Sequence, residues 1–156
     1  MSIAIRAAQV DDAVLIHAFI QELADYEKEP DAVEVTPNVL RQQLQAAPKP
    51  FEAWMVTLDG EVVGFALTFT TYSTWRGRPG LWLEDFYVRP SARGNGAGSA
   101  LFRHLGALCR ERGYGRLELA ALDWNTLATD FYQKRGATPM KDWTTWRFDG
   151  AALEAL

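Results

Sequence analysis

Three glycines at alternate positions, Gly94, Gly96 and Gly98, follow Arg93 and lead straight into an apolar helical pattern, in the string ARGNGAGSALF. Residues without side chains let a backbone approach a ligand closely. A helix beginning there turns its free N–H groups and positive dipole end toward an anion. Holding a phosphate or pyrophosphate is the chemistry this spacing suits. Shortly before it, the strand-like run LWLEDFYV (Leu81 to Val88) carries Glu84, a carboxylate that can accept a proton. Farther on, Tyr132 in DFYQKRGA supplies a phenol; with an ordinary pKa of about 10 it is a proton donor at neutral pH.

The glycine loop does not fit two common phosphate sites. A nucleotide P-loop ends in Gly-Lys-Ser/Thr, whereas Gly98 is followed by Ser99-Ala100. A dinucleotide site places Gly-x-Gly-x-x-Gly on the first strand-to-helix turn, whereas this loop reads Gly-x-Gly-x-Gly and follows four predicted strands. A packing turn is the remaining alternative, and it leaves the placement of Arg93 unexplained.

The elements that must position these residues are legible from periodicity. Ser2 to Ala7 alternates as a half-buried strand, and Val10, Val14, Phe19, Ile20 and Leu23 mark a helix running to about Tyr26. The acidic segment Asp25 to Asp31 follows, broken by Pro30; it reads either as a solvated loop or as an acidic rim for an ammonium group. Thr36 and Pro37 are N-cap and first residue of a second helix. Phe51–Leu58 and Glu61–Tyr72 form two strands joined at Asp59-Gly60, with a bulge or bend expected at Gly64. Trp75, in the loop Ser73 to Gly80, is either a tethering aromatic or part of a substrate wall. On a regular strand, Trp82, Glu84, Phe86 and Val88 point one way while Leu83, Asp85 and Tyr87 point the other, so Glu84 and Asp85 are expected on opposite faces. A helix from the glycine loop to Arg112-Gly113, a strand Arg116–Leu122, a helix from Asn125 or Thr126 to Arg135 and a final strand or hairpin in TPMKDWTTWRFDG complete the series, with a frayed helix over Ala151 to Leu156. The order predicts one α/β domain over residues 1–156, a mixed central sheet flanked by helices.

Bulk properties narrow the function. The chain has 156 residues, 48% of them hydrophobic and 23% charged, enough for a sizeable core. A net charge of −4 argues against a nucleic-acid partner, and nothing approaches eighteen consecutive apolar residues, so no membrane span is expected. The lone Cys109 cannot form an internal disulfide, and with no signal-peptide pattern at the start this leads to an expected cytoplasmic location. Cys109 falls on a helix's apolar face and reads as a small buried hydrophobe rather than a nucleophile. His17 and His104 sit alone, so no metal is expected.

Arg93-Gly94-Asn95-Gly96-Ala97-Gly98 matches the Arg/Gln-x-x-Gly-x-Gly/Ala signature of the GNAT superfamily of N-acetyltransferases, and the element order resembles that fold over essentially the whole chain. The strings LADYEKE around Tyr26, LEDFYV, and DWN followed by DFYQKRGA look closer still to the spermidine/spermine (diamine) and thialysine acetyltransferase branch. This resemblance implies transfer of an acetyl group from acetyl-CoA to a primary amine of a small molecule. By the same resemblance, the backbone of Arg93, Gly94, Asn95, Gly96, Ala97, Gly98 and Ser99 holds the cofactor's pyrophosphate, and that of Phe86, Tyr87 and Val88 its pantetheine arm. Asn125 touches the cofactor, and Arg135 or Lys134 reaches a phosphate or is a solvated charge. Tyr26, Glu27, Glu84 and Glu118 meet the substrate, and a homodimer is expected.

Such a transfer needs a neutral amine, a stabilised oxyanion and a proton for the leaving thiolate. Glu84 is the candidate base, directly or through a water, its alternative being an ion-paired surface glutamate. Tyr132 is the candidate acid, its alternative being an aromatic anchor, a job that Phe131 beside it can fill. Relatives of the polyamine type carry an acidic pair shortly before a Trp-Arg near the C-terminus. Here Thr144-Thr145 precedes Trp146-Arg147, which puts a diamine or lysine-like amino acid on at least an equal footing with long polyamines. An enzyme acting on protein N-termini or lysines, and a non-catalytic CoA-binding module, are the alternatives.

Overall fold

The computed structural model describes all residues, Met1–Leu156. They divide into two compact units, Met1–Ala120 and Ala121–Leu156.

The first unit is built on a five-stranded sheet in sequential order: β1 (Ile3–Ala7), β2 (Glu52–Leu58), β3 (Glu61–Ser73), β4 (Arg78–Val88) and β5 (Leu117–Leu119). The first four run antiparallel to their neighbours and β5 lies parallel to β4, so the sheet is mixed, as expected. Helices α1 (Ala13–Tyr26) and α2 (Pro37–Gln45) cover one face through Ile16, Phe19, Leu40 and Leu44, packed on Met55, Phe65, Leu67 and Tyr87. Helix α3 (Ala97–Arg112) covers the other through Leu101, Leu105 and Leu108, packed on Val56, Ala66, Leu81, Leu83 and Val88. Cys109 packs half-buried against this second cluster, and burial pushes its thiol pKa up, as suits a small hydrophobe.

Two irregularities shape β4. The first corrects the face assignment made from simple alternation. Leu67 pairs with Asp85 but Thr68 pairs with Leu83, so β4 carries one extra residue, Glu84. A bulge of this kind breaks the two-residue period. Leu83 and Phe86 therefore both pack with the α3 cluster, while Trp82, Glu84, Asp85 and Tyr87 share the α1 face. Glu84 and Asp85 are side by side, not on opposite faces.

The second irregularity is an approach too close for a side chain. β3 bulges against β2 beside Gly64, where a bend was expected. A Cβ added to Gly64 would lie 2.3 Å from the Tyr87 carbonyl oxygen and 2.9 Å from Val88 Cα. Gly64→Ala must push β3 off the end of β4, and overpacking of this kind costs about 1–3 kcal/mol. A urea unfolding curve should show that loss as a lowered midpoint at unchanged slope.

The second unit holds α4 (Thr126–Lys134) and α5 (Gly150–Glu154). The strand or hairpin expected in TPMKDWTTWRFDG is absent, and Ala137–Asp149 is irregular with one turn. Its alternation Trp146-Arg147-Phe148 has strand propensity, but a strand is held by its ladder partner, and an isolated pair is marginal. The strand expected over Arg116–Leu122 is likewise shorter, Leu117–Leu119.

Candidate active site

The glycine loop sits where β4 leaves the sheet. Gly94 and Gly96 both have positive φ, 84° and 85°, and Gly96 is the N-cap of α3 without offering a side chain to it. The first helical bond runs from the Ala100 N–H to the Gly96 carbonyl at 2.9 Å, so the N–H groups of Ala97 and Gly98 have no acceptor within the helix. A Cβ at Gly94 would meet nothing within 4 Å, and one at Gly98 only the Phe86 ring and Val88 at 3.8 Å. These glycines are not filling tight packing. They keep side chains away from a ring of backbone donors at a helix start, a set of groups suited to a pyrophosphate. The loop is braced from within: Asn95 Nδ2 donates to the Ala92 carbonyl at 3.2 Å, and Arg93 Nε to the Val88 carbonyl at 2.9 Å. Arg93 is thus a strut between loop and strand, its guanidinium 5.9 Å from the ring centres of both Tyr26 and Tyr87.

β4 runs on past its parallel neighbour. The β4–β5 ladder ends at the pair Leu83–Leu119, leaving Glu84 to Val88 without ladder pairing on that edge. The backbone of Phe86, Tyr87 and Val88 lies in this stretch, the part of the strand assigned to the pantetheine arm by resemblance.

On the α1 face, Trp82 stacks on Phe69 (centroids 6.3 Å apart) and its indole N–H donates to Glu84 Oε2 at 2.9 Å. Glu84 is exposed, whereas Asp85 is half-buried. Its carboxyl is pushed up to about 7, first by burial and then by the negative charges of Glu84 and Glu27. Glu27 caps the C-terminus of α1 and is itself raised by burial. Glu118 on β5 stands in register with Trp82. Tyr26, Glu27, Glu84 and Glu118, named from sequence, thus lie on α1, the turn that follows it, β4 and β5 of the first unit.

Two groups that sequence reading missed set the position of this rim. Glu22, on α1, accepts hydrogen bonds from Tyr87 Oη (3.2 Å) and from Arg89 Nε and Nη2 (3.2 and 3.0 Å). This strap joins the last turns of α1 to the end of β4. Burial and the adjoining Glu22 carboxylate hold the Tyr87 phenol above its usual range, so it stays a donor. No local pattern announces such a pairing across 65 residues. Simple alternation puts Asp85 on the face away from Glu84, and only the pairing with β3 shows otherwise.

In the second unit, Asn125 is the N-cap of α4, its Oδ1 accepting from the Ala128 N–H at 3.3 Å. Tyr132 packs edge-to-face with Phe131 at 5.5 Å. The Arg135 guanidinium lies 3.5 Å over the Phe131 ring and donates to the Phe131 carbonyl. Trp75, left open from sequence, is 83% exposed. No group of three or more His, Cys, Asp or Glu is arranged to hold a metal ion.

Comparison with known proteins places these features in context. The family model described as "Acetyltransferase (GNAT) family" matches residues 16–137. A thialysine N-epsilon-acetyltransferase from Bos taurus is 38% identical, the match spanning 97% of this chain and 95% of that protein. One from Caenorhabditis elegans is 36% identical over 92% of this chain and 89% of its own. Among solved structures, an integron cassette protein from V. cholerae matches with a TM-score of 0.80 at 23% identity, covering 99% of this chain and 97% of its own.

Proposed function

Because the chain belongs to the GNAT acetyltransferase family, whose cosubstrate is acetyl-CoA, we propose that it acetylates the primary amine of a small, short cation such as a diamine or a lysine-like amino acid. The observation that carries this reading is the acidic rim. Glu84 and Asp85 stand on the α1 face of β4 with Glu27 acting on the same carboxyl, and the chain beyond β4 runs on into the loop that opens α3. Negative charge there draws an ammonium group and opposes an acceptor lacking one. The named activity of the thialysine relatives agrees with it.

In this reading the amides of Ala97 and Gly98, with the backbone of Arg93 to Ser99, hold the donor's phosphates. The backbone of Phe86 to Val88 aligns the thioester, where an N–H polarises its carbonyl. Tyr26, Glu27, Glu84 and Glu118 receive the amine. Tyr132 donates the proton to the leaving thiolate, and Asn125 and Arg135 assist in holding the donor; these three roles rest on resemblance. A homodimer and a cytoplasmic location belong to the same proposal.

A panel of diamines, polyamines, lysine analogues and peptides, assayed by release of free thiol from acetyl-CoA, tests it. Diamines or lysine-like amino acids should give the highest kcat/KM. Acetylation of peptides alone would refute the small-amine reading.

A further inference from the structure

The bulge in β4 makes a carboxylate pair that a regular strand could not present. Its two members differ in surroundings: Glu84 is exposed and held by the Trp82 indole, whereas Asp85, next along the strand, is half-buried on the same face and feels the charge of Glu27 at the end of α1. We propose that Asp85 is the group that takes the proton from the acceptor's ammonium, while Glu84 attracts and orients that ammonium. The proposal rests on the rim being the acceptor side.

The step balances simply. Asp85 carboxylate takes one proton from R–NH3+, giving the carboxylic acid and R–NH2. The nitrogen lone pair forms the new N–C bond and the C–S bond of the thioester breaks. The second nitrogen proton is lost as the amide forms and the departing thiolate gains one, so the proton on Asp85 goes to solvent.

Burial and two charged groups act on this carboxyl, and they agree in sign. Burial, Glu84 from its own strand and Glu27 from the turn after α1 all favour the protonated form. Tyr26 and Tyr87 stand on the same side, with Arg93 beside their rings. An ordinary glutamate at about 4.3 meeting an amine at about 10.4 holds the proton in roughly one part in 10⁶, whereas a base near 7 improves this to roughly one in 10³. The arrangement makes the less exposed carboxylate the better base, the division of labour expected when two acids are given different environments.

The test is a set of pH profiles of kcat/KM with the best amine of the panel. The parent should show a limb rising with pH through about 7. Asp85→Asn should lose that limb and fall by about 10²-fold or more. Glu84→Gln, which removes one of the charges that raise Asp85, should keep a limb but move it to lower pH. A titration of the free protein by carbon-13 NMR should find the Asp85 carboxyl near 7 and displaced downward in Glu84→Gln. Folding does not confound the result. A raised carboxyl binds its proton more tightly in the native state, so it weakens the fold as pH rises from its unfolded value through about 7. Asp85→Asn should therefore be at least as stable as the parent at pH 8. Retention of parent activity and limb by Asp85→Asn, or loss of the limb in Glu84→Gln alone, would overturn the assignment. Failure of the parent to turn over any small amine would sink the substrate reading instead; the same profiles run with a peptide acceptor, and the NMR titration, would still decide the role of Asp85.

Discussion

Gly98→Asp is expected to weaken acetyl-CoA binding by about 10²-fold while leaving the protein as stable as before, or slightly more so. The two effects have opposite signs because the same groups carry them. A Cβ at this position meets only the Phe86 ring and Val88 at ordinary contact distance, so the substitution is sterically tolerated. An acidic side chain in the first turn of α3 gains from the helix dipole, typically 0.3–1 kcal/mol. That side chain also places negative charge where the donor's phosphates would bind. Two unit charges about 4 Å apart repel by about 4 kcal/mol at an effective dielectric near 20, and half-exposure of the site leaves about 2–3 kcal/mol, or roughly 10²-fold in Kd. Calorimetric titration with CoA, beside a thermal melt, measures both. A variant that lost stability and affinity together would indicate a packing role for the loop and count against a phosphate cradle.

The second large effect is expected at Tyr132. Phenylalanine keeps the edge-to-face contact with Phe131 and removes only the hydroxyl. If the phenol protonates the leaving thiolate, kcat should fall by about 10²-fold or more while affinity for CoA stays unchanged. A structural role predicts the same loss with every donor. An acid role predicts partial rescue by an acyl thioester whose thiol is more acidic and needs no proton to depart. Full turnover by Tyr132→Phe at all pH values would exclude the role.

Local chemistry was the readable part of this chain. Asp59-Gly60 announced a hairpin, and both residues have the positive φ that such a turn requires, 51° and 84°. Thr36 caps α2 through its Oγ1, with Pro37 in the first turn. The loop from Arg93 to Gly98 opens α3, and Gly113 stops it. Each of these depends on the conformations open to one or two residues. What escaped depends on residues far apart. The extra residue in β4 exists only relative to its partner β3, and nothing in LWLEDFYV breaks the alternation visibly. The strap from Glu22 to Tyr87 and Arg89 joins residues brought together by the fold. The tail from Thr138 to Gly150 has the composition of a strand, but pairing is not a property of one segment.

The bulge at Glu84 also constrains how this face can change. Point substitutions can alter the charge, size or polarity of any residue on β4, but none can add or remove a position. Deleting one residue between Leu83 and Phe86 would restore a regular ladder, keep the hairpin with β3 and leave a single carboxylate where there are now two. The route between a two-acid and a one-acid version of this strand therefore runs through an insertion or deletion. Grafting the rim onto another antiparallel sheet would likewise have to transplant the spare position along with the side chains.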